Sequence, residues 1–180
     1  FDAKCFIAMR YWNPLTAEAV SEVIKWNAPD LVLLPMYPQY SFATTSSSLK
    51  EWKRLYHPNG NVQRTHVIEH FFDHPGYIAA LANSVREYQM RTASRPDKLV
   101  MSFHGVPQYT IARGEPYQQQ CLNTGKLLGA ALNLGEHQYQ ICFQSRSGRA
   151  EWIKPYTADV LNELGKQKTS RVDLICAGFV

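Results

Sequence analysis

Leu99-Val100-Met101-Ser102-Phe103-His104-Gly105-Val106-Pro107 is the stretch on which the reading of the fold turns. Its apolar first half reads as a strand, and Gly105 and Pro107 then break regular structure. His104 therefore stands at a strand's carboxyl end. In open α/β sheets ligands bind outside that end, which makes His104 the first candidate functional residue.

Similar strands recur on both sides of this one. Upstream, Ala19, Val20, Val23 and Ile24 share one side of a helix that Thr16 caps and Pro29-Asp30 stops. Leu31-Val32-Leu33-Leu34 follows as a strand of the kind buried on both faces. Thr44-Thr45-Ser46-Ser47-Ser48 leads into a helix marked by Leu49, Trp52 and Leu55. That cluster reads either as a solvated cap or as backbone N–H groups able to hold an anion. The interval from Val62 to Phe72 contains a strand, and Asp73 and Pro75 open a helix through Tyr77, Ile78, Leu81, Val85 and Tyr88.

Downstream, Tyr117, Cys121, Thr124, Leu128 and Ala131 keep helical spacing within 115–132. Tyr139 to Phe143 is a strand that ends at Gln144-Ser145-Arg146-Ser147-Gly148. Thr157 caps a helix with Val160, Leu161 and Leu164, and Val172 to Cys176 is the last strand, ending at Gly178-Phe179. Buried strands alternating with amphipathic helices predict an α/β fold, with parallel sheets and right-handed crossovers in two Rossmann-like halves. The expected division is a first domain over 1–90, a linker over 91–98 with Thr92, Ser94 and Pro96, and a second domain over 99–180. Both halves read as incomplete, because the chain opens at Phe1 without methionine and closes at Val180 just past a strand end.

Composition removes several classes. The 180 residues are 45% hydrophobic and 19% charged, which is ordinary globular composition. Nineteen Lys and Arg against 15 Asp and Glu give +4, with the basic residues scattered, so nucleic-acid binding is not indicated. No apolar run approaches the roughly 18 residues of a membrane span. Any membrane contact would be peripheral, and Cys5, Cys121, Cys142 and Cys176, far apart and without CxxC spacing, read as reduced core thiols of a cytoplasmic protein. No glycine-rich fingerprint follows a strand, which argues against a dinucleotide. His66, His70 and His74 would form a metal face on a continuous helix, but Val67-Ile68 and Pro75 point to strand, turn and new helix instead.

Five strand ends present Arg10-Tyr11, Tyr37, His104, Gln144-Ser145-Arg146 and Phe179, with Trp152 close behind the fourth. Together they suggest one cleft holding an imidazole, several cations and aromatic rings. That set suits a large, flat, anionic ligand better than hydrolysis. Ser102 lies two residues from His104 and so can share its strand face, yet no acidic residue or nucleophile-elbow motif supports a serine nucleophile. Singly, His104 reads as readily as a structural histidine, Trp152, Tyr37 and Phe179 read first as packing residues, and Arg146 and Arg149 read as readily as solvated charges.

Four blocks in order change that weighting. MRYWNPLT at Met9 to Thr16, LPMYPQYSFATTSSSL at Leu34 to Leu49, MSFHGVP at Met101 to Pro107 and FQSRSGRAEWIKPYT at Phe143 to Thr157 resemble successive signature blocks of the ferrochelatase family. The resemblance covers nearly the whole chain. It implies two chelatase-type Rossmann-like domains and insertion of ferrous iron into protoporphyrin IX, the last step of haem synthesis. It makes His104 the active-site histidine, acting as metal ligand or proton acceptor, and Arg10, Tyr11, Tyr37, Trp152 and Phe179 porphyrin-binding residues. Fe²⁺ and protoporphyrin IX are then substrates, with no permanently bound cofactor. Elementary chemistry agrees, since metallation needs a base titrating near neutrality and a nitrogen or oxygen ligand, and imidazole can be either.

Departures from the family pattern also carry information. The family's metal-side glutamate follows the CPGF block, beyond Val180. Relatives that bind a 2Fe-2S cluster carry a cysteine where Phe42 stands here, so no such cluster is expected. Ala177 replaces a usual proline. Two alternatives stay open at this point: a non-catalytic porphyrin-binding fragment, and a related chelatase for another metal or tetrapyrrole.

Overall fold

The computed structural model describes residues 2–57, 64–93 and 95–178. Its contacts group the chain up to Met36 with Ser41–His70, and Tyr37–Tyr40 with the chain from Phe71 onward. The division of these contacts falls between His70 and Phe71, and the helix before the expected linker over 91–98 packs on one after it. Ser94 of that linker lies outside the described residues, as do Val62 and Phe179.

The first unit contains helix α1 (Thr16–Trp26), strand β1 (Asp30–Leu33), a π-helical turn (Phe42–Ser46), helix α2 (Ser47–Leu55) and strand β2 (Arg64–Val67). β1 and β2 pair in parallel, from Asp30 opposite Arg64 to Leu33 opposite Val67. Ala19, Val20 and Val23 of α1 and Trp52 of α2 form a small core on Leu31 and Leu33. The alternate residue Val32 is 57% exposed. β1 is therefore covered on one face, not two, because both helices of this unit pack on the same side of the strand. Thr16 does not cap α1 either. The helix starts at Thr16 with Leu15 as its cap residue, and the Thr16 hydroxyl donates to the Met9 carbonyl at 3.2 Å.

The second unit contains helix α3 (Pro75–Thr92), strand β3 (Lys98–His104), helices α4 (Gln108–Ala112) and α5 (Tyr117–Ala131), strand β4 (Tyr139–Gln144), helix α6 (Thr157–Lys166) and strand β5 (Val172–Ile175). The three strands are parallel in the order β4-β3-β5. The opening stretch is thus the central strand, and Leu99 to Phe103 are all buried. Their alternation sorts them between two helical layers. Leu99, Met101 and Phe103 join Ala82, Val85, Cys121 and Leu128 of α3 and α5, whereas Val100 joins Cys142 and Leu164 on the α6 side. Because α3 packs against α5, it belongs to this unit. α5 also approaches the sheet at a glycine: a Cβ on Gly125 would stand 2.4 Å from Ile141 Cδ1.

Thr157, expected as a cap, is buried beside Tyr156, which holds the cap position. Its hydroxyl lies 2.8 Å from Ser102 Oγ and donates to Cys142 Sγ at 3.2 Å. Cys121 and Cys142 are core thiols as expected, but Cys5 is exposed in an irregular segment and Cys176 is half-buried past the end of β5. No described helix is long and apolar enough to cross a membrane.

Burial gives this unit an alkaline limit. It pushes the Tyr77 phenol up to about 12, and it raises the Tyr117 phenol and the Cys121 thiol as well. The folded chain keeps these protons where the unfolded chain releases them, from about pH 8.5 for a cysteine and about pH 10 for a tyrosine. The stabilisation is therefore complete below about pH 8.5 and is lost as pH rises through the folded values. Thermal melts should show a midpoint that begins to fall near about pH 9 and falls more steeply above about pH 10. A midpoint constant to pH 12 would contradict this account.

Candidate functional site

β3 ends on His104, whose side chain is exposed although the five residues before it are buried. Its Nδ1 lies 2.7 Å from the Gly105 carbonyl oxygen. A carbonyl only accepts, so Nδ1 carries the hydrogen of this bond.

The chain beyond β3 runs beside the chain beyond β4 and brings an aromatic ring to the histidine. Gly105 N–H donates to the Gln144 carbonyl at 2.7 Å, Ile153 N–H to Val106 at 3.0 Å, and Gln108 N–H to Glu151 at 2.8 Å. Pro107 and Trp152 form an antiparallel bridge. This short ladder sets the Trp152 ring 6.3 Å from the imidazole, inclined at 51°. The approach is close at Gly105, where a Cβ would stand 2.9 Å from the Gln144 carbonyl oxygen and 3.1 Å from Trp152 Cε3. Trp152 Nε1 donates to the Ser147 carbonyl at 2.8 Å and closes the loop after β4. Within that loop Arg146 lies over the Tyr156 ring at 4.7 Å, and Lys154 pairs with Glu151 at 2.8 Å.

The neighbouring strand ends join the same rim. Gln144 Nε2 donates to Cys176 Sγ at 3.6 Å, linking β4 to β5 across the end of β3. Tyr77 donates its hydroxyl to the Ala177 carbonyl. Tyr37, half-buried, belongs to this unit through the segment Tyr37–Tyr40. His104, Trp152, Gln144 and Tyr37 thus share one unit. Ser102 has the opposite fate to His104: it is buried with its hydroxyl engaged by Thr157, so it does not reach the rim.

Arg10 and Tyr11 occupy the first unit and stand together there. The Arg10 guanidinium carbon is 5.0 Å from the Tyr11 ring centroid, and its Nε donates to Ser47 Oγ at 3.0 Å. The Tyr11 hydroxyl meets the same Ser47 oxygen at 3.0 Å and donates to the Ala43 carbonyl at 3.2 Å. Beside them lies a groove of about 330 Å³ lined by Arg10, Phe42, Ser47, Lys50, Glu51 and Arg54. The serine and threonine cluster is knit internally. Ser41 Oγ accepts from the Ala43 N–H, and the Ser41 carbonyl accepts from the Ser46 N–H.

His66 falls on β2, while His74 caps α3 by accepting the Gly76 N–H at its Nδ1. The continuous histidine helix does not form, and no group of three or more potential metal-ligating His, Cys, Asp or Glu side chains occurs among the described residues. Sequence reasoning missed three features of the second unit: α4, the ladder that carries Trp152, and a buried polar contact of Gln39 with α5. The signal for the last was present, since Gln39 is a lone amide between Pro38 and Tyr40 in an otherwise aromatic block.

Fold and rim together define a parallel α/β protein that presents an imidazole, an indole and an amide at the carboxyl ends of its central strands, the ligand edge of such sheets. Comparison with known proteins specifies the kind. The ferrochelatase family model matches residues 1–180. The ferrochelatase of Chromobacterium violaceum is 49% identical over 173 residues, covering 96% of this chain and 47% of its own length. Those of Nitrosomonas europaea and Methylobacillus flagellatus are 46% and 45% identical over 96% of this chain, covering 47% and 50% of their own lengths. The chain belongs to the ferrochelatase family. It spans about half the length of the curated relatives it matches.

Proposed function

We propose that the full-length protein of which this chain is part inserts ferrous iron into protoporphyrin IX to form protohaem, acting as a metal chelatase of the lyase class. The observation that carries this reading is His104, held through Nδ1 by the Gly105 carbonyl and standing 6.3 Å from the Trp152 ring at the ligand edge of the sheet.

Two pyrrole N–H protons must leave as the metal enters, and Fe²⁺ must exchange water for nitrogen. Nε2 of His104 serves as proton acceptor or as transient ligand for the incoming ion. Indole and phenol rings at Trp152, Tyr37 and Tyr11 offer flat apolar surface to a macrocycle. Phe179, outside the described residues, is assigned to the same set through the family pattern. The Arg10 guanidinium keeps its terminal nitrogens for an acidic substituent while Nε is held by Ser47. Iron and porphyrin are substrates in this scheme, and the protein holds no resident cofactor or 2Fe-2S cluster. A cytoplasmic location, with any membrane contact peripheral, completes the reading.

The test is anaerobic incubation of the full-length protein with Fe²⁺ and protoporphyrin IX, followed by loss of free-base porphyrin fluorescence and growth of haem absorbance. Catalytic turnover is expected. Porphyrin binding without any metal insertion would overturn the enzymatic reading in favour of a binding module.

A further inference from the structure

We propose that Gln39, through Thr124 of α5, is a positioning residue for the porphyrin-facing wall that includes Tyr37; the inference rests on the functional reading above. Tyr37–Tyr40 belongs to neither helix nor strand, yet Pro38 and Gln39 are buried, Gln39 to 2% exposure. An irregular segment in a core must satisfy its polar groups individually. Here the Phe71 N–H donates to the Pro38 carbonyl at 2.9 Å, and the Tyr40 N–H donates to Gln120 Oε1 at 2.6 Å. Gln39 Nε2 donates to Thr124 Oγ1 at 3.0 Å. Gln120 and Thr124 are four apart on α5 and so project from one face of it. Thr124 in turn reaches the Phe72 carbonyl at 2.8 Å.

Gln39 also faces the end of β5. Its Oε1 lies 3.4 Å from where a Cβ on Gly178 would stand, next to the Ala177 carbonyl that accepts the Tyr77 hydroxyl. One fully enclosed amide therefore ties three things together: the segment that carries Tyr37, the face of α5, and the strand end that precedes Phe179. A pair of apolar side chains of similar shape would fill this space at little cost in stability, because a buried hydrogen bond adds only modestly to net stability. What the polar pair adds is a single register, since any slip takes the dry Gln39 amide away from the Thr124 hydroxyl.

The test uses the full-length protein with Thr124→Val, Thr124→Ser and the double variant Gln39→Leu/Thr124→Val. Thr124→Val, which strands the Gln39 amide, should raise the porphyrin KM about five- to tenfold while kcat and the Fe²⁺ KM stay within about twofold. Thr124→Ser, which keeps the hydroxyl, should match the parent. The double variant should recover the parent's melting temperature but keep the raised porphyrin KM, and it carries the test if Thr124→Val alone fails to fold. A normal porphyrin KM in the folded variants, with any loss appearing only as a smaller active fraction, would overturn the positioning role and leave the functional reading intact. A parent protein that neither binds nor metallates porphyrin would overturn the functional reading, and this inference with it.

Discussion

Replacing Phe103 by alanine in the full-length protein is expected to cost about 3–5 kcal/mol of folding stability, the range for a fully buried aromatic side chain. Phe103 has no exposed surface, lies on the central strand, and stands one residue before His104. Its ring lies 6.4 Å from that of Phe143, and the end of β5 closes over it at Gly178, where a Cβ would stand 3.2 Å from Phe103 Cδ1. Neighbours held on three strands cannot collapse into the space, so the cavity persists. The expected loss is a large share of the roughly 5–15 kcal/mol that folded domains possess. Chemical denaturation of parent and variant measures it through the midpoint and slope. A loss below about 1 kcal/mol would mean that the strand ends repack freely, against the rigid rim described above.

Replacing His104 by alanine should have the largest effect on activity. Positioned acid–base groups contribute about 10²- to 10⁴-fold to rate, and the fall in metal insertion should lie in that range. Porphyrin affinity should change little, because the imidazole is exposed and its near neighbour Trp152 is held by its own backbone ladder and by the Ser147 carbonyl. Folding should change little as well, since the imidazole is exposed and its bond to the Gly105 carbonyl spans only adjacent residues.

Much of this arrangement was legible from local pattern. The run Leu99 to Phe103 ended by Gly105 and Pro107 specified a buried strand with His104 at its tip, because apolar side chains on both pleats need cover on both faces. The alternation of strands and helices specified parallel pairing for the same reason. Patterns that depend on distant partners were less readable. Leu31 to Leu34 looked like a strand buried twice, but only Leu31 and Leu33 meet a helical layer in the first unit. Thr16 and Thr157 looked like caps, but each hydroxyl is drawn to a partner brought by tertiary packing, the Met9 carbonyl in one case and Ser102 with Cys142 in the other.

Site residues divide in the same way. His104 could be placed from its own strand, whereas its nearness to Trp152 depends on backbone pairing between residues 106–108 and 151–153, which no periodicity records. Gln39 and Thr124 are 85 apart in sequence, and each taken alone is an ordinary polar residue. The helix marked by Tyr77, Ile78, Leu81, Val85 and Tyr88 reads as a helix, but only its packing against α5 reveals which unit it serves.

The central claim is that His104 acts in the insertion step and not in holding the macrocycle. Single-turnover mixing of Fe²⁺ with porphyrin already bound to the full-length protein tests it most directly, with parent and His104→Ala compared at equal porphyrin occupancy. The account predicts prompt conversion to haem by the parent and a variant that keeps its porphyrin as the free base over the same interval. Conversion by the variant at the parent's rate would contradict it.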